Sequence, residues 1–273
     1  MRHVLKIGIL FLLALLVASP AIVRAQQAVF EVDNVATVVG VMVGVAPDYV
    51  GSDDYKGIAA PYFKYTLPKS YQTLLLRGTE LSFNLINHPM FRFGPIINYR
   101  PERNNVDDDV VDNMEKIDSA FEGGAFGGFE FIDKDNPRRR ASLIFSWMHD
   151  MTGAYNGWLA TGAAKAWQPI SKNWDISLGV SGTYGDNRYM NTYFGVDETD
   201  HQRTGLRLYK AGTGMRDISA TAAIVYHYGQ NWHFGGGVRF MRLINDAADS
   251  PVVDDRGERN QLVAGIGVFY SWK

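Results

Sequence analysis

The sequence predicts a transmembrane antiparallel β-barrel, and three observations support this prediction. Many segments alternate between apolar residues and small or polar residues, which is the side-chain period of a β-strand. The connections between these segments are short turns or long polar loops, which is typical of outer-membrane barrels. The chain also begins with a segment typical of exported proteins but has no cysteine, so a barrel closed by its own hydrogen bonds is favoured over a disulfide-stabilised secreted domain.

The first 25 residues have the features of a signal peptide. The basic residues Arg2 and Lys6 precede an apolar run over residues 7–17, and the compact residues Val23 and Ala25 stand at the −3 and −1 positions of a cleavage site after Ala25. A permanent anchor is the alternative, but the run is too short to cross a hydrocarbon core of about 30 Å. Residues 26–273 are therefore predicted to form one barrel.

The predicted strands follow from the alternation. In the last of them one face carries only apolar and aromatic side chains, those of Leu262, Ala264, Ile266, Val268, Tyr270 and Trp272. Similar segments of about ten residues suit tilted membrane strands. The remaining predicted strands cover residues 35–46, 57–66, 90–100, 119–131, 139–149, 158–168, 174–185, 215–228 and 231–243.

Residues 71–86 are either one long strand or two short strands broken at Gly78. A barrel with both termini in the periplasm needs an even number of strands. Two short strands give a total of about twelve and satisfy this condition, so twelve is the preferred prediction and ten is the alternative.

Loop lengths predict the orientation of the barrel. Residues 133–137, 169–172 and 229–231 are short turns, whereas residues 101–117, 187–212 and 245–260 are long and polar. Short turns at one end and long loops at the other are typical of outer-membrane barrels, with the short turns in the periplasm. The apolar faces are therefore expected to contact lipid and lipopolysaccharide. The net charge of −2 and the pI of about 6.3 argue against nucleic-acid binding.

Several motifs resemble those of the MipA/OmpV family of outer-membrane proteins. These motifs are residues 46–55 (APDYVGSDDY), Gly94-Pro95, residues 193–196 (YFGV), Gly205-Leu206 with residues 209–212 (YKAG), and residues 242–253 (RLINDAADSPVV). Each motif is short, but their order and spacing cover the mature chain almost end to end.

The resemblance implies a location in the outer membrane of a Gram-negative cell. It also implies a scaffold that holds a lytic transglycosylase against a bifunctional penicillin-binding protein during peptidoglycan synthesis. Other relatives are similar to porins or adhesins, so a channel for small solutes and a surface adhesin or receptor are alternatives.

Two groups of residues are candidates for loop contacts at the barrel mouth. Asp48, Tyr49, Asp53 and Asp54 follow the first strand, where aspartate and glycine favour a structural turn, with a ligand contact as the alternative. The second group is Tyr193 and Phe194, with Asp246 and Asp249. The loops that contain it are expected to plug the lumen, to form an external binding surface or to cap the barrel.

Charged residues alternate onto the inner faces of the strands. The principal candidates are Arg92, Glu122, Glu130, Asp217 and Arg239. Buried charges must be paired or hydrated. An ion-paired network that fills a narrow lumen is expected, and a charge-lined pore that selects small solutes is the alternative.

No catalytic site, metal site or cofactor is predicted. His149 and Asp150 are sequence neighbours, so a strand directs them to opposite faces. The acidic residues of positions 107–118 do not have EF-hand spacing, and a solvated loop is expected there, with a calcium site as the alternative. The sequence therefore predicts a protein that is not an enzyme.

Overall fold

The computed structural model describes residues 31–32 and 36–272, so the predicted signal peptide and its cleavage after Ala25 lie outside the described residues. Twelve antiparallel strands close into one barrel, in which β1 pairs with β12 and every other pair is adjacent in sequence. The prediction of twelve strands is confirmed over the alternative of ten. No helix in the described residues is long and apolar enough to cross a membrane.

The strands lie close to their predicted positions. Their bounds are β1 Thr37–Pro47, β2 Tyr55–Thr66, β3 Thr73–Arg77, β4 Glu80–Asn84, β5 Phe91–Arg100, β6 Ala120–Ile132, β7 Arg140–Asp150, β8 Trp158–Pro169, β9 Trp174–Gly185, β10 Gly214–Tyr228, β11 Trp232–Leu243 and β12 Asn260–Trp272. Five short helices lie in the long loops of the described residues: α1 Asp109–Asp112, α2 Asn187–Phe194, α3 Glu198–Thr204, α4 Asn245–Ala248 and α5 Pro251–Asp254.

The chain breaks at Gly78, as the two-strand interpretation of residues 71–86 predicts. Gly78 has a φ of 62°, a left-handed conformation that glycine adopts without steric cost. The strands on either side of it, β3 and β4, have five residues each, about half the length of their neighbours. The β3–β4 hairpin therefore reverses direction partway along the barrel wall, before it reaches the end at which the longer neighbouring strands stop.

The outer surface of the barrel is apolar, as the alternation predicts. Ile266, Val180 and Phe145 are 66%, 61% and 58% exposed, whereas the inward-facing Val263 is 1% exposed. Aromatic rings lie in contact at both ends of the wall, for example Trp232 with Tyr270 near one end. Pairs of this kind near both ends match the aromatic girdles at the two membrane interfaces.

The barrel closes through the pairing of its first and last strands. The β1–β12 register runs from Thr37 opposite Trp272 to Val45 opposite Ala264. Gly44 is opposite Gly265, and a Cβ atom on Gly44 would lie 2.1 Å from the carbonyl oxygen of Ala264. Glycine at this position permits the close approach that this register needs.

The inner faces are more apolar than the alternation alone predicts. Val38, Met42, Tyr62, Val263 and Phe269 belong to one buried cluster inside the barrel wall. The rings of Tyr62 and Phe269 meet edge to face at 5.3 Å. Small barrels have interiors narrow enough for side chains to fill, and on this side of the lumen apolar side chains fill it.

The lipid-facing surface predicts a depth-dependent effect of charge. Ile266→Arg, near the middle of β12, should lower the free energy of unfolding by about 2–4 kcal/mol, whereas Leu262→Arg, near its end, should lower it by about 0–1 kcal/mol. Urea unfolding of the barrel in lipid vesicles measures both. Equal and small effects at the two positions would indicate that solvent, not lipid, surrounds the strands.

Candidate functional site: the capped end and the charged lumen

The β1–β2 connection is a structural turn, and two of its four candidate residues are buried. The Asp48 carboxylate is fully buried, lies 2.7 Å from Lys56 Nζ and accepts a hydrogen bond from the Asp107 amide at 3.0 Å. Tyr49 is also buried, and burial raises the pKa of its hydroxyl. Asp53 is exposed and Asp54 is half-buried, where burial and then the charge of Asp53 raise the pKa of Asp54.

The long loops form a cap over one end of the barrel. This cap consists of residues 48–54, 101–119, 186–213 and 244–259, and it contains the five helices of the described residues. It lies at the end opposite the predicted periplasmic turns. The expectation of an ordered cap, one of three for the long loops, therefore agrees with the structure.

The cap has its own hydrophobic core in two clusters. One cluster joins Tyr193 and Phe194 of α2 to Ala247 and Ala248 of α4, and the other includes Tyr49 from the β1–β2 turn. Phe194 is completely buried. The structure thus brings four widely separated loops into one packed layer.

Polar contacts join the segments of the cap to one another. Arg256 Nη2 lies 2.6 Å from Asp108 Oδ2, which connects the last long loop to the acidic loop. Ser250 Oγ donates a hydrogen bond to the Phe194 carbonyl oxygen at 2.6 Å. Arg103 Nη1 donates to the Tyr193 carbonyl oxygen at 3.0 Å. These buried or partly buried contacts hold the cap in one arrangement.

Asp246 and Asp249 are structural members of the cap. Asp246 Oδ2 accepts a hydrogen bond from the Gly212 amide at 2.6 Å, and its carbonyl oxygen accepts one from Tyr209 Oη at 3.0 Å. The carbonyl oxygen of Asp249 accepts from Arg207 Nη2 at 2.7 Å, while its side chain is exposed. The family-like motifs at residues 209–212 and 242–253 therefore contact each other.

The acidic loop was expected to be solvated, and Asp107, Asp109, Glu115 and Asp118 are exposed. Asp108, however, joins the loop to another segment of the cap. Asp108 pairs with Arg256 and accepts the amide hydrogen of Val111 at the start of α1. Asp112 pairs with Lys116, which lowers the pKa of Asp112. In residues 31–32 and 36–272 no group of three or more histidine, aspartate or glutamate side chains is arranged to hold a metal ion.

A layer of paired charges lies directly beneath the cap. Glu122 Oε1 accepts hydrogen bonds from Arg100 Nε and Tyr155 Oη, each at 2.6 Å, and its side chain is fully buried. The Arg100 guanidinium lies 5.2 Å from the centre of the Tyr189 ring on the underside of the cap. The lumen charges and the cap are thus one connected network.

Asp217 and Arg239 lie in the same layer. Arg216 Nε donates to Asp217 Oδ2 at 2.6 Å and Arg216 Nη1 donates to Tyr189 Oη at 2.7 Å. Arg239 lines the same small cavity, but its buried Nε has no hydrogen-bond partner among the described residues. The pairing of Asp217 is as expected, although its partner, Arg216, was not predicted.

A second layer of charge lines a larger cavity towards the predicted periplasmic end. Glu130 lies 2.6 Å from Arg92 and 3.3 Å from Arg140. The cavity has a volume of about 480 Å³, and Arg77, Glu80 and Lys165 also line it. The expected ion-paired network is therefore present, but it leaves this side of the lumen unfilled.

Sequence reasoning missed a hydrogen-bonded chain across four strands. His227 Nε2 lies 2.7 Å from Asp175 Oδ2, His227 Nδ1 lies 2.6 Å from His233 Nδ1, and His233 Nε2 lies 2.9 Å from Ser271 Oγ. The tight turn at residues 229–231 makes positions 227 and 233 opposite partners, so the hairpin register could have identified the histidine pair. Ser271 is buried, so it is not exposed as a catalytic nucleophile.

Comparison with solved structures finds outer-membrane proteins of low similarity. The NanC porin is 9% identical, with a TM-score of 0.49, and the match covers 86% of this chain and 99% of that one. An outer-membrane channel from Pseudomonas putida F1 is 8% identical, with a TM-score of 0.46, and the match covers 93% and 100%.

The family comparison is more specific. The model of the family described as "MltA-interacting protein MipA" matches residues 39–272, which include all of the barrel except the first residues of β1. No curated protein sequence matches the chain. The family and the fold together locate the chain in the outer membrane of a Gram-negative bacterium.

The layer beneath the cap predicts a stability difference between two tyrosines. Tyr155→Phe removes a hydrogen bond to the buried Glu122 carboxylate and should lower the free energy of unfolding by about 1–3 kcal/mol. Tyr184→Phe, on the outer surface, should change it by less than about 0.5 kcal/mol. Denaturant titrations of both variants test this difference. Equal effects would show that Tyr155 does not stabilise the charged layer.

Proposed function

Because the chain belongs to the MltA-interacting protein MipA family, we propose that it is a non-catalytic outer-membrane scaffold for murein enzymes. In this proposal the barrel holds a periplasmic lytic transglycosylase at the membrane and brings it to a penicillin-binding protein. The family description supports the first partner by name, since it specifies an interaction with MltA. The second partner rests on the resemblance of the sequence motifs.

The packed cap over one end of the barrel is the observation that favours a scaffold over a channel. Tyr189, Met190 and Phe194 of the cap are completely buried, and Arg100 and Arg216 contact Tyr189 from the lumen side. A scaffold needs a stable anchor and no continuous pathway for solutes. A packed cap above a paired charge layer suits that requirement.

The predicted periplasmic turns offer a surface for the partner. Four exposed cations lie on them, Lys69, Lys134, Arg139 and Lys172, and the carboxylates of these turns are Asp133 and Asp135. Arg139 pairs with Asp133 at 3.0 Å. The excess positive charge of these turns therefore lies on the lysines. A surface with excess positive charge favours association with an acidic face of the partner.

The other two functions remain alternatives with different requirements. A channel for small solutes would use the charge-lined cavity, but the cap would have to move. An adhesin or receptor would use the outer surface of the cap, and deletion of residues 187–212 would then abolish cell binding. The scaffold is preferred because the family description names a protein partner.

A binding experiment with charge reversal tests the scaffold. Lys69→Glu/Lys134→Glu/Lys172→Glu should weaken capture of a purified lytic transglycosylase by about tenfold or more, because it reverses the charge of the proposed contact surface. The control Lys116→Glu/Arg203→Glu/Lys210→Glu makes the same change in net charge on the cap and should bind like the unmodified protein. Absence of binding by the unmodified protein, or equal weakening in both variants, would contradict the proposal.

Conductance distinguishes the scaffold from the channel. Planar-bilayer recordings of the purified protein should show no discrete conductance steps, since the cap closes the extracellular end. Reproducible single-channel steps that disappear on removal of the protein would contradict the closed scaffold and support the channel.

A further inference from the structure

We propose that the small cavity beneath the cap is a binding site for a small monovalent anion such as chloride, and that Arg239 holds the anion. This inference concerns the lumen and does not depend on the scaffold proposal. It rests on a guanidinium group without a partner in the part of the chain that the structure describes, on the charges around it and on the space beside it.

Arg239 lies on the inner face of β11, and its neighbours supply no counter-charge. The residues opposite it are Thr221 on β10 and Val263 on β12. Within residues 31–32 and 36–272 no hydrogen bond or salt bridge ends on the Arg239 guanidinium, and its Nε atom is buried. Buried donors normally have a partner, and a buried charge must be paired or hydrated. A group other than these protein side chains therefore meets the guanidinium.

The charges around the cavity leave one positive charge over. Among the described residues that line it, Arg100, Arg216 and Arg239 are cations and Asp217 is a carboxylate. Arg100 pairs with the neighbouring Glu122, and Arg216 pairs with Asp217. One negative charge would balance Arg239, whereas a divalent anion would leave an excess of negative charge. The charge balance therefore indicates a monovalent anion.

Asp217 is already engaged by other groups. Its Oδ2 accepts a hydrogen bond from Arg216 Nε at 2.6 Å, and its Oδ1 accepts one from Ser219 Oγ at 3.3 Å. Both carboxylate oxygens thus have partners on β10 itself. The position beside Arg239 is left for a ligand.

The cavity has room for such an ion. Its volume is about 90 Å³, and on this measure one water molecule needs about 10–15 Å³. A small anion and a few water molecules therefore fit without displacement of a protein group. Thr161 and Ser181 line this cavity and also the larger cavity of the lumen, so the two cavities adjoin.

The surroundings favour an anion over water alone. Val50 and Pro101 of the cap line the cavity, and so do the apolar side chains of Met148 and Leu159 on the barrel wall. Apolar surroundings lower the effective dielectric constant, which strengthens the attraction between a cation and an anion. Water would satisfy the donors of Arg239 but would leave its charge unbalanced.

Chloride binding to the purified protein in detergent tests this inference. The linewidth of the chloride NMR signal increases when chloride exchanges with a site on the protein, so a titration gives an affinity. Arg239→Gln should weaken this binding by about tenfold or more, because it removes the charge and the donors of the site. The control Arg203→Gln removes the same charge from an exposed position of α3 and should bind like the unmodified protein.

A second variant supplies the missing negative charge from the protein. Met241 is buried, lines the same cavity and lies two residues from Arg239 on the same face of β11. Met241→Glu should therefore abolish the chloride binding, because its carboxylate would pair with Arg239. Heat-dependent migration in gel electrophoresis shows whether each variant is folded, and a fold failure of one variant leaves the other to decide.

A third measurement needs no variant. A ligand that binds only the folded state raises the free energy of unfolding. The unmodified protein should therefore be more stable in sodium chloride than in sodium gluconate of the same ionic strength, since gluconate is much larger than chloride. Equal stability in the two salts would overturn the inference, and so would equal chloride binding by Arg239→Gln and the unmodified protein.

Discussion

The structure depends on closure of the sheet through the β1–β12 pair. Within a lipid bilayer every backbone N–H and C=O group must find a partner in the protein, and an open sheet edge would leave a row of them unpaired. The register from Thr37 opposite Trp272 to Val45 opposite Ala264 removes both edges at once. Because the barrel wall is a single β-sheet, each side chain of a strand faces either lipid or the lumen. The apolar outer surface and the charged inner surface are two consequences of the same constraint.

Charges that face the lumen must be paired or hydrated, and this chain uses both solutions. Beneath the cap, Arg100, Glu122 and Tyr155 pair in a largely buried layer that also contacts the aromatic rings of α2. Nearer the predicted periplasmic end, Arg92, Glu130 and Arg140 pair around a cavity. Replacing one partner in the upper layer would leave a buried charge, whereas the lower layer has room for water or a ligand. A capped end and an unfilled opposite end therefore follow from how the two layers are packed.

The wall could be predicted from the sequence, whereas the contacts between distant strands could not. Alternation is a local property, so β9 was predicted at Trp174–Gly185 without error and the break at Gly78 was found from one residue. The pairing of Asp217 with Arg216 was missed because both residues lie at a strand irregularity between Met215 and Asp217, where simple alternation fails. The bridge from Glu31 to Arg77 and Lys165 joins β3 to β8 through a segment outside the strands, and no local pattern encodes it. The cap residues Tyr49, Tyr193 and Asp246 were found from motifs, but their packing into one layer depends on loops far apart in sequence.

Spin labelling along β12 tests the central claim most directly, and the absence of native cysteines makes single labelling sites straightforward. Nitroxide labels at successive positions from 262 to 270 would be measured in lipid vesicles for collisions with oxygen, which concentrates in lipid, and with a water-soluble nickel chelate. We expect oxygen collisions to peak at positions 264, 266 and 268 and to fall at 263, 265 and 267, with little access for the chelate at the peaks. Loss of the two-residue period, or free access of the chelate at positions 264 to 268, would contradict a lipid-facing barrel wall.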